Sequence, residues 1–160
     1  MSTHGTPAAG AGKAKVLNIF GDLITPMVRG ADVEGRYAVM EAITPPQGGP
    51  PLHRHAREDE WFVVLEGEFV FEVDGERIPL AAGGTILAQK GTAHTFQNVG
   101  AAPGRMIVIV RPAGLDSFFE ELAGATWGMG EPDLSVVIPI FEKFGLEFLG
   151  PPLAVRAPSV

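Results

Sequence analysis

The chain has 160 residues, 46% of them hydrophobic, which suits a single domain with a real core. Its net charge of −7 and the lack of any basic stripe exclude a nucleic-acid binder, because phosphate contacts need clustered Lys and Arg. It has no cysteine, so disulfides, thiolate metal sites and cysteine nucleophiles are excluded, and any metal must be held by N and O ligands.

Residues 1–15 carry few bulky side chains and read as a disordered tail without the apolar stretch of a signal peptide. Val16 to Phe20 and Leu23 to Val28 read as short strands, and Arg36 to Thr44 as a longer one. The run Pro45-Pro-Gln-Gly-Gly-Pro-Pro51 cannot enter a ladder and must be a loop. It delivers His53 and His55. Trp61 to Leu65 and Glu68 to Val73 follow as strands. Asp74-Gly75 is a two-residue hairpin turn, Arg77 to Leu80 returns, and Gly83-Gly84 turns into Thr85 to Ala88. Thr92 to Asn98 and Arg105 to Val110 complete the set. Short strands with frequent turn signals argue for an all-β sandwich or barrel over residues 16–112. The apolar run Met106 to Val110 is too short to span a bilayer, so the expectation is no membrane and a cytoplasmic location.

Residues 113–160 change character and read as a helical extension. Asp116 can cap a short helix over Ser117 to Ala123 that stops at Gly124. Leu134, Val137, Ile138, Phe141 and Phe144 are spaced for one helical face, with Gly145 as the stop. Pro139 implies a kink, or a helix that begins there. Gly150-Pro-Pro152 is read as the end of regular structure.

Three of the four histidines fall in one constellation; the fourth, His4, lies in the tail. His53 and His55 are two apart and share one face of an extended strand. If they point inward, Glu60, Phe62 and Val64 share a face on the next strand, as do His94, Phe96 and Asn98. Three imidazoles and a carboxylate would be costly to bury unpaired, and a divalent cation satisfies all four. This donor set suits Fe, Mn, Co, Ni, Cu or Zn. The plain alternative is that His53 and His55 are exposed loop residues and His94 closes a turn. Asp59 falls on the face opposite Glu60, and Arg57 and Glu58 read as solvated loop charges.

The spacing resembles that of the cupin superfamily. Its first motif is matched by Gly49-Pro-Pro-Leu-His53-Arg-His55, four residues, Glu60, six residues and Gly67. Its second is matched by Gly83, five residues, Gln89-Lys90-Gly91, two residues, His94, three residues and Asn98. Gln89 stands where the family usually has proline, at a position that shapes a turn and holds no metal. The resemblance implies a cupin double-stranded β-helix, or jelly-roll barrel, with a short helical C-terminal extension. It also implies one divalent metal on His53, His55, Glu60 and His94. The finer likeness is to small bacterial single-domain cupins described as quercetin-dioxygenase-like.

From that likeness follow a metal-dependent dioxygenase, O2 as co-substrate, and a small hydroxylated or enolisable aromatic substrate. Glu60 would ligate and also accept a substrate proton. Phe62, Phe69, Phe71, Phe96 and Met106 are candidates for the substrate pocket, and each also fits plain core packing. A non-oxidative isomerase or lyase, and a binding or sensing module without chemistry, are the rival readings. A homodimer paired through the Val16 to Val28 segment and sheet faces is implied by the same resemblance.

Overall fold

A computed structural model describes residues 14–156; most of the segment read as a disordered tail lies outside the described residues. Eleven strands and two helices are present among those residues. The strands are β1 (Leu17–Ile19), β2 (Asp22–Val28), β3 (Ala38–Thr44), β4 (Leu52–His55), β5 (Asp59–Glu66), β6 (Glu68–Val73), β7 (Glu76–Ala81), β8 (Thr85–Ala88), β9 (His94–Asn98), β10 (Gly104–Arg111) and β11 (Leu146–Gly150). Helices α1 (Leu115–Ala125) and α2 (Leu134–Lys143) lie between β10 and β11. One antiparallel sheet runs β1-β2-β3-β10-β5-β8 and the other β11-β4-β9-β6-β7. This is the two-sheet jelly-roll barrel with a helical extension that the resemblance implied; the turn pattern implied an all-β sandwich or barrel.

Alternation decides what faces inward. On β3, Ala38, Met40, Ala42 and Thr44 are buried, and on β5 Glu60, Phe62 and Val64 are buried. On β10 the buried residues are Met106, Val108 and Val110, and on β6 Phe69 and Phe71. The side chains between them face outward. Leu87, Trp61, Ile109 and Val39 stand in one row across β8, β5, β10 and β3. Trp61 and Leu87 are exposed. Arg105 pairs with Glu41 and Glu66 on the same face.

The proline-rich loop is irregular but tightly held. Gln47 N–H donates to Asn98 O, and Asn98 N–H donates to Gly48 O. Thr95 Oγ1 donates to Pro50 O. Gly49 is required here: its φ is +154°, and a Cβ would lie 1.9 Å from Phe96 O. The loop is thereby stitched along β9, and the chain enters β4 with His53 directly opposite His94.

The extension departs from its sequence reading in three respects. First, α1 begins at Leu115, before Asp116, and runs through Gly124, read as its stop, to Ala125. Asp116 is buried and accepts from Gly30 N–H across the chain and from Gly114 N–H. Second, α2 runs through Pro139 from an Asp133 cap whose side chain accepts from Ser135 N–H, and it buries Val137, Ile140 and Phe141. Leu134, placed on the apolar face by its spacing, is exposed. Third, the chain does not end regular structure at Gly150. Leu146–Gly150 is a strand paired with β4, and Leu153–Val155 is a 3-10 turn.

Asn98 closes the barrel end remote from the histidines. Its side-chain amide donates to Thr44 O and Ala102 O and accepts from Gly100 N–H, all from a fully buried position. Asn98→Ala leaves these backbone groups without partners. We expect a loss of about 2–3 kcal/mol, read from the urea unfolding midpoint at unchanged m-value.

Candidate metal centre

Three strands from one sheet edge to the other barrel wall bring the site together. β4 supplies His53 and His55, β5 supplies Glu60, and β9 supplies His94. All four side chains are buried. One ligand atom from each lies within 4.8 Å of all the others. That spread is within small adjustment of a common ion with bonds of about 2.0–2.2 Å to N and O.

The outward nitrogen of every imidazole is engaged. His53 Nδ1 lies 2.7 Å from Pro51 O and His94 Nδ1 lies 3.0 Å from Thr92 O. A carbonyl can only accept, so both rings donate from Nδ1 and turn Nε2 inward. His55 Nδ1 lies 3.2 Å from Glu58 Oε2. Inside, Glu60 Oε2 meets His94 Nε2 at 2.8 Å and His55 Nε2 at 3.0 Å. His55 Nε2 is buried and faces the Glu60 carboxylate without a well-aligned hydrogen bond. A buried ring nitrogen poorly aligned to its carboxylate, with the other rings already oriented from behind, fits a divalent transition ion.

The protonation of the metal-free site follows from the same contacts. Burial, aided by the neighbouring imidazoles, pushes His53 down to about 3. Burial also opposes charge on His55, but the Glu60 and Glu58 carboxylates outweigh it and lift His55 to about 9. Burial likewise opposes charge on Glu60, yet the His55 and His94 contacts hold its carboxyl well below the usual range. The metal-free centre is therefore a buried imidazolium–carboxylate pair. The His55 contribution to stability is full below about 6.5 and is lost as pH rises through about 9.

The aromatic candidates form one connected cluster beside the centre. The Phe62 ring centroid lies 6.1 Å from that of His94. Phe71 and Phe96 pack on Phe62 at 5.1 and 5.8 Å. Phe69 packs on Phe71 and Phe96, further from the histidines. Met106 stands opposite Val64, whereas Val110 stands opposite Glu60, so Met106 is lower in the barrel.

Two neighbours of the centre escaped the sequence reading. Glu58 is buried against His55, where solvated loop charge was expected. It is three residues beyond His55 in a tight reversal, which lets it reach back. Phe141 of α2 places its ring 6.4 Å from His53, and Phe148 of β11 packs on Phe141 at 6.0 Å. The apolar helical stripe was visible; its destination on the metal-side mouth was not. Asp59 faces away from Glu60 as alternation requires, and accepts from Lys90 N–H.

Fold and donor set are similar to those of cupins. Residues 40–110, a little under half of the chain, match the family described as the cupin domain. The chain is 30% identical over 66 residues to the oxalate-binding protein of Thermotoga maritima, covering 41% of this chain and 54% of that one. It is 32% identical over 90 residues to the polyketide synthase CurC of Streptomyces cyaneus, covering 56% of each. The matches thus span little more than half the length of these curated relatives. Among solved structures, KdgF from Halomonas superposes with a TM-score of 0.58 at 18% identity, over 64% of this chain and 90% of that one. That likeness concerns the fold.

Metal uptake must displace the proton held by His55. We expect the purified chain to bind one divalent ion, His94→Ala to bind none stoichiometrically, and apparent affinity to fall about tenfold per pH unit below about 9. Elemental analysis and chelator competition across pH measure all three. Equal metal content in wild type and variant would refute the site.

Proposed function

We propose that His53, His55, Glu60 and His94 hold one divalent transition metal and that the protein is a metal-dependent dioxygenase of quercetin-dioxygenase type. The observation that carries this reading is the enclosed set of three imidazoles and one carboxylate, with the imidazoles aimed inward. Bound there, the metal would supply open coordination positions for a substrate oxygen and for O2. The protein's own groups account for the rest. Glu60 touches both imidazoles through Oε2, which leaves Oε1 to accept a proton from a substrate hydroxyl. Phe62, backed by Phe71 and Phe96, forms an apolar wall that favours a flat aromatic or enolised substrate. Phe69 and Met106 extend that wall deeper. The burial of all four donors keeps bulk water from the reacting atoms.

The relative named as a polyketide synthase supports the substrate class. Polyketides carry β-dicarbonyl units, and these enolise readily. The relative named as an oxalate-binding protein supports the second reading, a binding module whose pocket takes a small oxygen-rich ligand without turnover. No described helix is long and apolar enough to cross a membrane, and a cytoplasmic location belongs to the proposal.

Metal-loaded protein screened against flavonols and β-diketones is expected to consume O2 with a product in step. Glu60→Gln should lower the rate at least 100-fold. Turnover under argon would replace the oxygenase by an isomerase or lyase. Tight binding without product would replace it by the binding module.

We further propose a homodimer paired through the outer face of the β1–β8 sheet, where Trp61, Leu87, Ile109 and Val39 form one apolar row. Light scattering is expected to give twice the chain mass, and Leu87→Glu to give a monomer. A monomeric wild type overturns the pairing.

A further inference from the structure

Behind His55 lies a second carboxylate that the four-residue donor set does not include. Glu58 sits in the turn between β4 and β5, is only 3% exposed, and places Oε2 3.2 Å from His55 Nδ1. A buried carboxylate without a partner is strongly unfavourable. The partner it has is a ring whose opposite nitrogen faces Glu60 at 3.0 Å. His55 therefore lies between two carboxylates. His53 and His94 do not: their Nδ1 atoms face the backbone carbonyls of Pro51 and Thr92. Of the three rings, His55 alone is held from behind by a side chain that carries charge.

The fold also makes room for this carboxylate. Gly114, just before α1, has φ +149°, and a Cβ there would lie 3.1 Å from Glu58 Oε1. The first residues of the helical extension thus close over Glu58 without displacing it. Gly145, after α2, leaves comparable room for Arg57 next to it: a Cβ would lie 2.8 Å from Arg57 Nε. The extension thus approaches the turn at Glu58 and at Arg57, while Ala56, Arg57 and Asp59 stay exposed.

We infer that Glu58 is a positioning residue for the metal centre. It holds His55 as the Nδ1–H tautomer and, by accepting that hydrogen bond through a carboxylate, makes Nε2 the most electron-rich nitrogen of the three. This rests on the reading of His53, His55, Glu60 and His94 as a metal site. A carboxylate behind a ligating imidazole raises ligand basicity and fixes the ring plane. It also puts two buried carboxylates at the centre, Glu58 and Glu60, which a divalent ion balances in charge.

Co2+ is a suitable probe, because its visible d–d spectrum reports donor strength and geometry. Metal-stripped full-length protein is loaded with Co2+, and affinity is read by chelator competition. Glu58→Gln keeps an acceptor oxygen but removes the carboxylate; Glu58→Ala removes both. We expect a loss of Co2+ affinity of about 10-fold for Glu58→Gln and up to about 100-fold for Glu58→Ala. Both should come with a shifted d–d spectrum. Variants that bind within twofold of wild type with the same spectrum overturn the assignment. So does weakened binding with an unchanged spectrum, which would make Glu58 only a structural residue. Should Glu58→Ala fail to fold, Glu58→Gln decides the matter by the same criteria. A wild type that takes up no Co2+ overturns the metal centre itself, and this inference with it.

Discussion

The carboxylate of Glu60 is the constraint around which the molecule is arranged. It is 5% exposed in a barrel lined by Phe, Met, Val and Ala. A negative charge in such surroundings is tolerable only beside a compensating positive one. In the metal-free chain the compensation is a proton on His55, which the two flanking carboxylates lift to about 9. In the loaded chain it would be a cation. Proton and metal are thus rival occupants of one electrostatic deficit. The three imidazoles are oriented for the second occupant, because His53 and His94 have their outward nitrogens committed to backbone carbonyls.

Much of this was legible in the chain because strand alternation is a local rule. The period of two placed Glu60, Phe62 and Val64 on one face and Asp59 and Trp61 on the other, and burial follows that division. The turn residues Asp74-Gly75 and Gly83-Gly84 bounded β6 and β8 closely. What escaped depends on contacts distant in sequence, or on positions where no period applies. Glu58 precedes β5, so alternation says nothing about it. Asp116 serves the amide of Gly30, a contact across 86 positions, rather than capping its own helix. Leu146–Gly150 looks like the ragged end of a helical segment until its partner strand, Leu52–His55, is known.

The family match covers residues 40–110, which is the barrel wall. The residues that enclose the centre from the other side come from beyond it. Phe141, Gly114 and β11 all belong to the extension, and each touches the ligand strand, its turn, or a ligand ring. The barrel supplies the four donors. The extension determines how much space remains at that donor set and what can lie against it. Chemistry peculiar to this protein is therefore to be sought in the extension as much as in the motifs.

The pairing of β11 with β4 bears on when the centre can exist. Toward β9, β4 has a single bridge, His53 opposite His94. Toward β11 it has a ladder in which Leu146 faces His55 and Phe148 faces His53. During synthesis, the ligand strand emerges from the ribosome roughly ninety residues ahead of the strand that secures it. Until β11 is in place, the ligand strand lacks the ladder that carries most of its pairing.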